Sequence, residues 1–190
     1  MIFIIRILLC ICIVSLFSAC TSAPLVKQPP EWGYEKEAIQ LHFTSDLQLN
    51  LFQKQAHSLI VCLYHLRDPN GFNQLIDEKG GLHKLLECSR FDPSVTYSKR
   101  LVVQPSRDVT ELMDRTDGAK YVGIVAGYYT LHKESSVRSY KIPISEVKTG
   151  STLVQKPAKL NIDLYLGPQE IKEPKDISKG TPAINGKEKQ

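Results

Sequence analysis

From residue 35 to residue 166, apolar side chains recur at alternate positions in one short run after another, and this period of two limits the chain to a β-rich fold. Ala38-Ile39-Gln40-Leu41-His42-Phe43 and Leu47-Gln48-Leu49-Asn50-Leu51 alternate apolar with polar, as strands with one buried face do. Residues 58–66 are apolar almost throughout and read as a buried strand. Arg100-Leu101-Val102-Val103 and residues 109–113, 121–129, 138–144 and 160–166 continue the series, divided by Asp-Gly, Pro and Ser clusters. Strands at this spacing predict an antiparallel β-sandwich of about 130 residues, spanning 35–166.

One stretch breaks the period. After Asp68-Pro69, Phe72, Leu75 and Ile76 fall at helical spacing; Gly80-Gly81 interrupts; then Leu82, Leu85 and Leu86 repeat it. Two short amphipathic helices are therefore expected at about 69–88, packing their apolar stripes on the sandwich. Cys62 lies in the buried run and Cys88 ends the second helix, so a Cys62–Cys88 disulfide would staple this excursion to the sheet. Gly123 and Gly127 lie inside a strand, where they point to the close approach of another backbone or a bulky ring.

The ends have other compositions. Residues 1–19 carry one charge, Arg6, before an apolar run that closes in Ser18-Ala19, too short to span a bilayer and shaped like a signal peptide. Small residues immediately before Cys20 resemble the lipobox of bacterial lipoproteins, with Phe17 where that pattern prefers Leu. The resemblance implies that Cys20 is lipidated and becomes the mature N-terminus, and the absence of Asp at Thr21 favours the outer membrane. Loss of Arg6 with the signal lowers the net charge from +4 to +3, and Cys62 and Cys88 then remain in an oxidising compartment. Residues 20–34, with Pro24, Pro29 and Pro30, read as a lipidated cysteine followed by an extended flexible linker whose Trp32 caps the domain. Residues 167–190, rich in Lys, Glu, Pro and Gly, read as a disordered tail.

No familiar catalytic pattern is present. There is no G-x-S-x-G elbow, P-loop or G-x-G-x-x-G, and His42, His57, His65, His83 and His132 form neither HExxH nor a Cys/His cluster for a metal. His42 and His65 read as solvated or half-buried strand residues, and His83 falls on the polar side of the second helix. The small, scattered positive charge excludes a nucleic-acid surface. The residues imply no cofactor, metal or small-molecule substrate.

The order of features along the chain carries a resemblance. The run Ser58-Leu59-Ile60-Val61-Cys62-Leu63-Tyr64-His65-Leu66-Arg67-Asp68, a Phe72-led helix, Leu82-His83-Lys84-Leu85-Leu86, then Leu101-Val102-Val103-Gln104-Pro105 and residues 120–129 resemble the TssJ (VasD/SciN) lipoproteins of the bacterial type VI secretion system. The resemblance runs from residue 20 to about 145. It implies a transthyretin-like β-sandwich with a short helical insertion, anchored by lipid to the outer membrane and facing the periplasm. It further implies a non-enzymatic role, binding the periplasmic domain of TssM within a TssJ–TssL–TssM complex. The partner-binding loop of the family falls here at Asn50, Leu51, Phe52, Gln53, Lys54, Gln55, Ala56 and His57, where Leu51, Phe52 and Lys54 depart from the family's polar Asn-Pro-type loop. Phe52 anchors an interface if it is exposed and belongs to the core if it points inward. Two other readings stay open from the residues alone. One is a periplasmic ligand-binding or inhibitor lipoprotein, which would need a large apolar pocket; the other is a hydrolase whose groups meet only in space.

Overall fold

Strands of period two need a second apolar surface to cover their buried face, and here two four-stranded sheets cover each other. The computed structural model describes residues 26–150 and 152–173. Cys20, the signal peptide and most of the expected tail lie outside the described residues. The first sheet comprises β2 (Glu35–Ser45), β5 (Asp108–Arg115), β10 (Leu160–Leu166) and β11 (Ile171–Lys172), in the order β11-β10-β2-β5. The second comprises β3 (Leu59–Leu66), β4 (Val95–Val103), β6 (Tyr121–Ala126) and β7 (Val137–Lys141), in the order β4-β3-β6-β7. A small third sheet joins β1 (Val26–Gln28) to the hairpin β8 (Ile144–Thr149) and β9 (Thr152–Pro157). The helices are α1 (Asn70–Asp77), α2 (Gly81–Leu85) and α3 (Lys133–Ser136). Pairing in the second sheet is antiparallel throughout, but β10 runs parallel to β2, with Leu160 beside Ile39 and Leu166 beside Ser45. β10 follows the β8–β9 hairpin directly, and the whole second sheet lies between it and β2 in the chain, a long connection of the kind parallel neighbours require.

β3 explains why its sequence is apolar without a break. Leu59, Val61 and Leu63 face the other sheet and join Ile39, Leu41, Phe43, Ile124 and Leu164 in the main core. Cys62, Tyr64 and Leu66 face outward, where α1 and α2 cover them with Phe72, Leu75 and Leu85. Burying a side chain as large as Phe72 contributes about 2–3 kcal/mol. Tyr64 donates its hydroxyl to the Leu85 carbonyl, satisfying the only polar atom its ring brings inside. Cys62 and Cys88 are bridged, with Cα atoms 5.1 Å apart, tying the end of the helical excursion to the middle of β3.

Gly123 lies on the same outer face, and a Cβ there would sit 2.7 Å from Cζ of Phe72. Of the two neighbours the sequence allowed there, a backbone or a bulky ring, the structure has the ring, supplied by Phe72 in the first turn of α1. We expect Gly123→Ala to lift α1 and lower stability by about 1–3 kcal/mol, read as a fall in the thermal midpoint. Phe72→Leu in the same chain should recover part of that loss. An unchanged midpoint for Gly123→Ala would show that α1 does not press on β6.

Several expectations change. Residues 47–51 form turns and not a strand: the Asp46 carboxylate accepts the Gln48 N–H at 2.6 Å, Asn50 takes φ 48°, and only Leu49 of the three leucines is fully buried. The run 138–144 is divided, with Ile142 buried, Pro143 breaking the ladder and Ile144 opening β8. The tail does not begin at 167, because Ile171 is fully buried and pairs with Leu166. His65 is fully buried, on the core side of β3 beside Tyr97. The linker supplies β1, parallel to β9, and Trp32 packs on the main core beneath the Arg115 guanidinium.

Candidate functional site

The strand registers give the sandwich two poles. One holds Glu35, Arg115, Leu66, Tyr121 and Lys141, together with β1 and the base of the β8–β9 hairpin. The other holds Ser45, Asp108, Val103, Leu59 and Ala126, and the segment 46–58 projects there. The Ser45 hydroxyl pins this second pole by donating to the Gln104 carbonyl at 2.7 Å and by accepting the Arg107 N–H at 2.8 Å.

Asn50 organises the projecting loop. It is 5% exposed; its side-chain N–H donates to the Ser58 carbonyl and its Oδ1 accepts the Tyr129 N–H, each at 3.0 Å. Asparagine is among the few residues that tolerate its left-handed φ. Two further backbone bonds fasten the stem, from the His57 N–H to the Leu49 carbonyl at 2.9 Å and from the Leu51 N–H to the Pro168 carbonyl at 2.8 Å. Phe52 and Gln55 then exchange both backbone bonds at 2.9 Å, closing a tight turn through Gln53 (φ 50°) and Lys54 (φ 63°). Two consecutive positive φ values are the pattern of a two-residue hairpin turn that glycine and asparagine favour. Replacing Lys54 by glycine should therefore stabilise the protein by about 0.5–1 kcal/mol in urea denaturation, since it removes left-handed strain from a residue with a Cβ. A loss of stability would mean that the Lys54 side chain makes an unrecognised contact.

The loop thereby holds an aromatic cluster at the surface. The Phe52 ring stacks on Tyr129 with centroids 4.2 Å apart and 14° between planes, and His57 meets the Tyr129 ring edge-on at 5.1 Å. Phe52 is 42% and Tyr129 54% exposed, so the phenylalanine belongs to the surface. Ile60 and Val102, a cross-strand pair on the outer face of the second sheet, are also exposed near this pole. Gln53, Lys54, Gln55 and Ala56 are exposed around the turn, whereas Leu51 and His57 are half-buried. Tyr129 was not legible as part of the site. It reads in sequence as the end of a strand, and only the bond to Asn50, 79 positions earlier, brings it to Phe52.

A cleft of about 470 Å³ opens at the opposite pole, between the third sheet and the sandwich. It is open and charged, lined by Glu31, Glu35, Arg115 and Lys156 among others. The Arg115 guanidinium is already committed, donating from Nε and Nη2 to the Gly33 carbonyl at 3.2 and 3.0 Å and lying 2.8 Å from the Glu35 carboxylate. The space between the two sheets is filled by side chains, which disfavours a buried-ligand reading. Among the described residues, no three His, Cys, Asp or Glu side chains converge as a metal site would require.

No curated protein matches the chain. Solved structures do. The type VI lipoprotein TssJ1 from Pseudomonas aeruginosa superposes with a TM-score of 0.52 at 19% identity, over 76% of this chain and 95% of that one. Lip from Serratia marcescens, a membrane-bound component of the type VI secretion system, gives 0.51 at 18% identity, over 71% and 95%. A structure described as the TssM C-terminal domain from EAEC gives 0.53 at 15%, with the same coverage. These likenesses establish the β-sandwich fold. The model of the type VI secretion lipoproteins (VasD, EvfM, TssJ, VC_A0113) matches residues 37–167, more than half of the sequence and nearly all of the sandwich, so the chain belongs to the type VI secretion lipoprotein family.

Proposed function

We propose that this protein is a non-enzymatic tether. Lipidated on Cys20, it is held to the outer membrane on the periplasmic side and grips the periplasmic domain of TssM with the loop 50–57, within a complex that includes TssL. The observation that carries this reading is the stacked, half-exposed Phe52–Tyr129 pair, built into a hydrogen-bonded turn at the pole opposite the linker. A rigid exposed aromatic plate loses little freedom on binding and has the composition of an interface hot spot. Family membership supports the same role. Both partners being membrane-attached, a modest contact suffices, because confinement raises the effective concentration.

Calorimetric titration with the TssM periplasmic domain tests the assignment. Phe52→Ala and Tyr129→Ala should each weaken binding by about 2 kcal/mol, or roughly 30-fold in Kd. Leu112→Ala, an exposed apolar truncation on β5, serves as control and should leave Kd unchanged. Wild-type affinity in both aromatic variants, with the fold intact, would move the interface elsewhere.

A further inference from the structure

The pole that carries the linker also carries a ribbon with no evident role in the sandwich. Every side chain of β8 is exposed, Ile144 and Val147 among them, and β9 is at most half-buried. Lys27 and Lys148 flank Leu153 near the hairpin tip, on the face that also carries the sheet's one carboxylate, Glu146, which pairs with Lys27 at 3.0 Å; Lys156 lies on the other face towards the base, where Lys141 and Lys159 follow. Glu31 lies across the adjoining cleft.

The register of β1 gives the ribbon its place. Val26 pairs with Thr152, beside the turn of the hairpin, and Gln28 pairs with Val154. The chain thus leaves the described residues at the hairpin tip. Cys20 is six residues before Val26, and six residues reach at most about 20 Å even when fully extended. A lipid on Cys20 therefore keeps the hairpin tip within about 20 Å of a bilayer, whatever the orientation of the rest of the domain.

We infer that the tip of the β8–β9 hairpin is a membrane foot, seating on an anionic phospholipid surface through Lys27 and Lys148 with Val147 at the headgroup boundary. The inference rests on lipidation at Cys20. Its chemistry is charge complementarity: each lysine near an anionic surface shifts partitioning about fivefold. The apolar side chain of Val147, exposed on the same ribbon, adds contact at the headgroups. The consequence is orientation, since a seated foot turns the 50–57 pole away from the membrane.

The test uses the mature acylated chain in vesicles of phosphatidylethanolamine with or without phosphatidylglycerol, spin-labelled at Thr149→Cys or, at the other pole, at Lys54→Cys. In vesicles containing phosphatidylglycerol, the label at 149 should relax more with lipid-soluble oxygen than with an aqueous nickel chelate, and the label at 54 the reverse. Lys27→Glu with Lys148→Glu should lower the seated fraction at 149 about 25-fold or more, as should omission of phosphatidylglycerol. A label at 149 that stays aqueous while the protein sediments with vesicles overturns the foot, including the case where a protein strand covers β8. Cys20→Ser, the control, should fail to sediment; failure of the native chain to sediment overturns the anchor itself and the foot with it.

Discussion

Replacing Cys62 and Cys88 together by alanine should lower the free energy of unfolding by about 3.5 kcal/mol, the chain-entropy value for a bridge across 26 residues of separation. The loop it closes contains α1, α2 and the start of the segment leading to β4, so the unfolded chain gains most of its new freedom there. In the folded state the bridge holds Cys88, which has a left-handed φ of 54°, against fully buried Cys62. Arg100 reinforces the junction, donating to the Glu87 carbonyl at 3.0 Å just past the end of α2. Urea denaturation of the double variant, and of the native chain with and without a thiol reductant, should give matching losses. Hydrogen exchange should quicken first in 70–88, because those helices keep only one apolar face each. A loss below about 1 kcal/mol would show that packing alone pins the helices.

That segment was also the most legible part of the molecule. Phe72, Leu75 and Leu85 gave a period that only a helix could bury, and of the two glycines read as marking a close backbone or a bulky ring, Gly123 meets the Phe72 ring while Gly127, just past β6, faces Leu86 and the Ile60 carbonyl. β10 was equally plain, because Leu160, Leu164 and Leu166 are buried while Asn161 is not. The hairpin β8–β9 left no such trace: with every residue of β8 exposed, no side chain had to be apolar. Leu47, Leu49 and Leu51 misled for the opposite reason, alternating in sequence while Asp46 and Asn50 turned the backbone beneath them. The candidate interface was half legible. The loop 50–57 could be located by order along the chain, but whether Phe52 faced out depended on Asn50 reaching both Ser58 and Tyr129, a tertiary arrangement with no local signature.

The second large effect is a dependence on pH from His65. Its ring is fully buried, with Nδ1 3.3 Å from the Thr116 hydroxyl, no partner for Nε2 among the described residues, and the Tyr97 ring alongside. Burial favours the neutral imidazole and pushes its pKa down to about 4 from an ordinary 6.5. The unfolded chain therefore binds a proton between pH 6.5 and pH 4 that the folded chain refuses, and over this window the unfolded state is favoured as acid is added. Stability should be unaffected by His65 above pH 6.5, decline as pH falls through the window, and level off below about pH 4, with a total loss of about 3 kcal/mol. Carboxylates titrating lower down add their own slopes, so the diagnostic is a difference. His65→Gln, which keeps a polar side chain able to meet the Thr116 hydroxyl but cannot titrate, should flatten the stability profile between pH 6.5 and pH 4 relative to the native chain. Parallel profiles for the two proteins would mean that the imidazole ionises as readily in the folded protein as in the open chain, and that the core at this pole admits water.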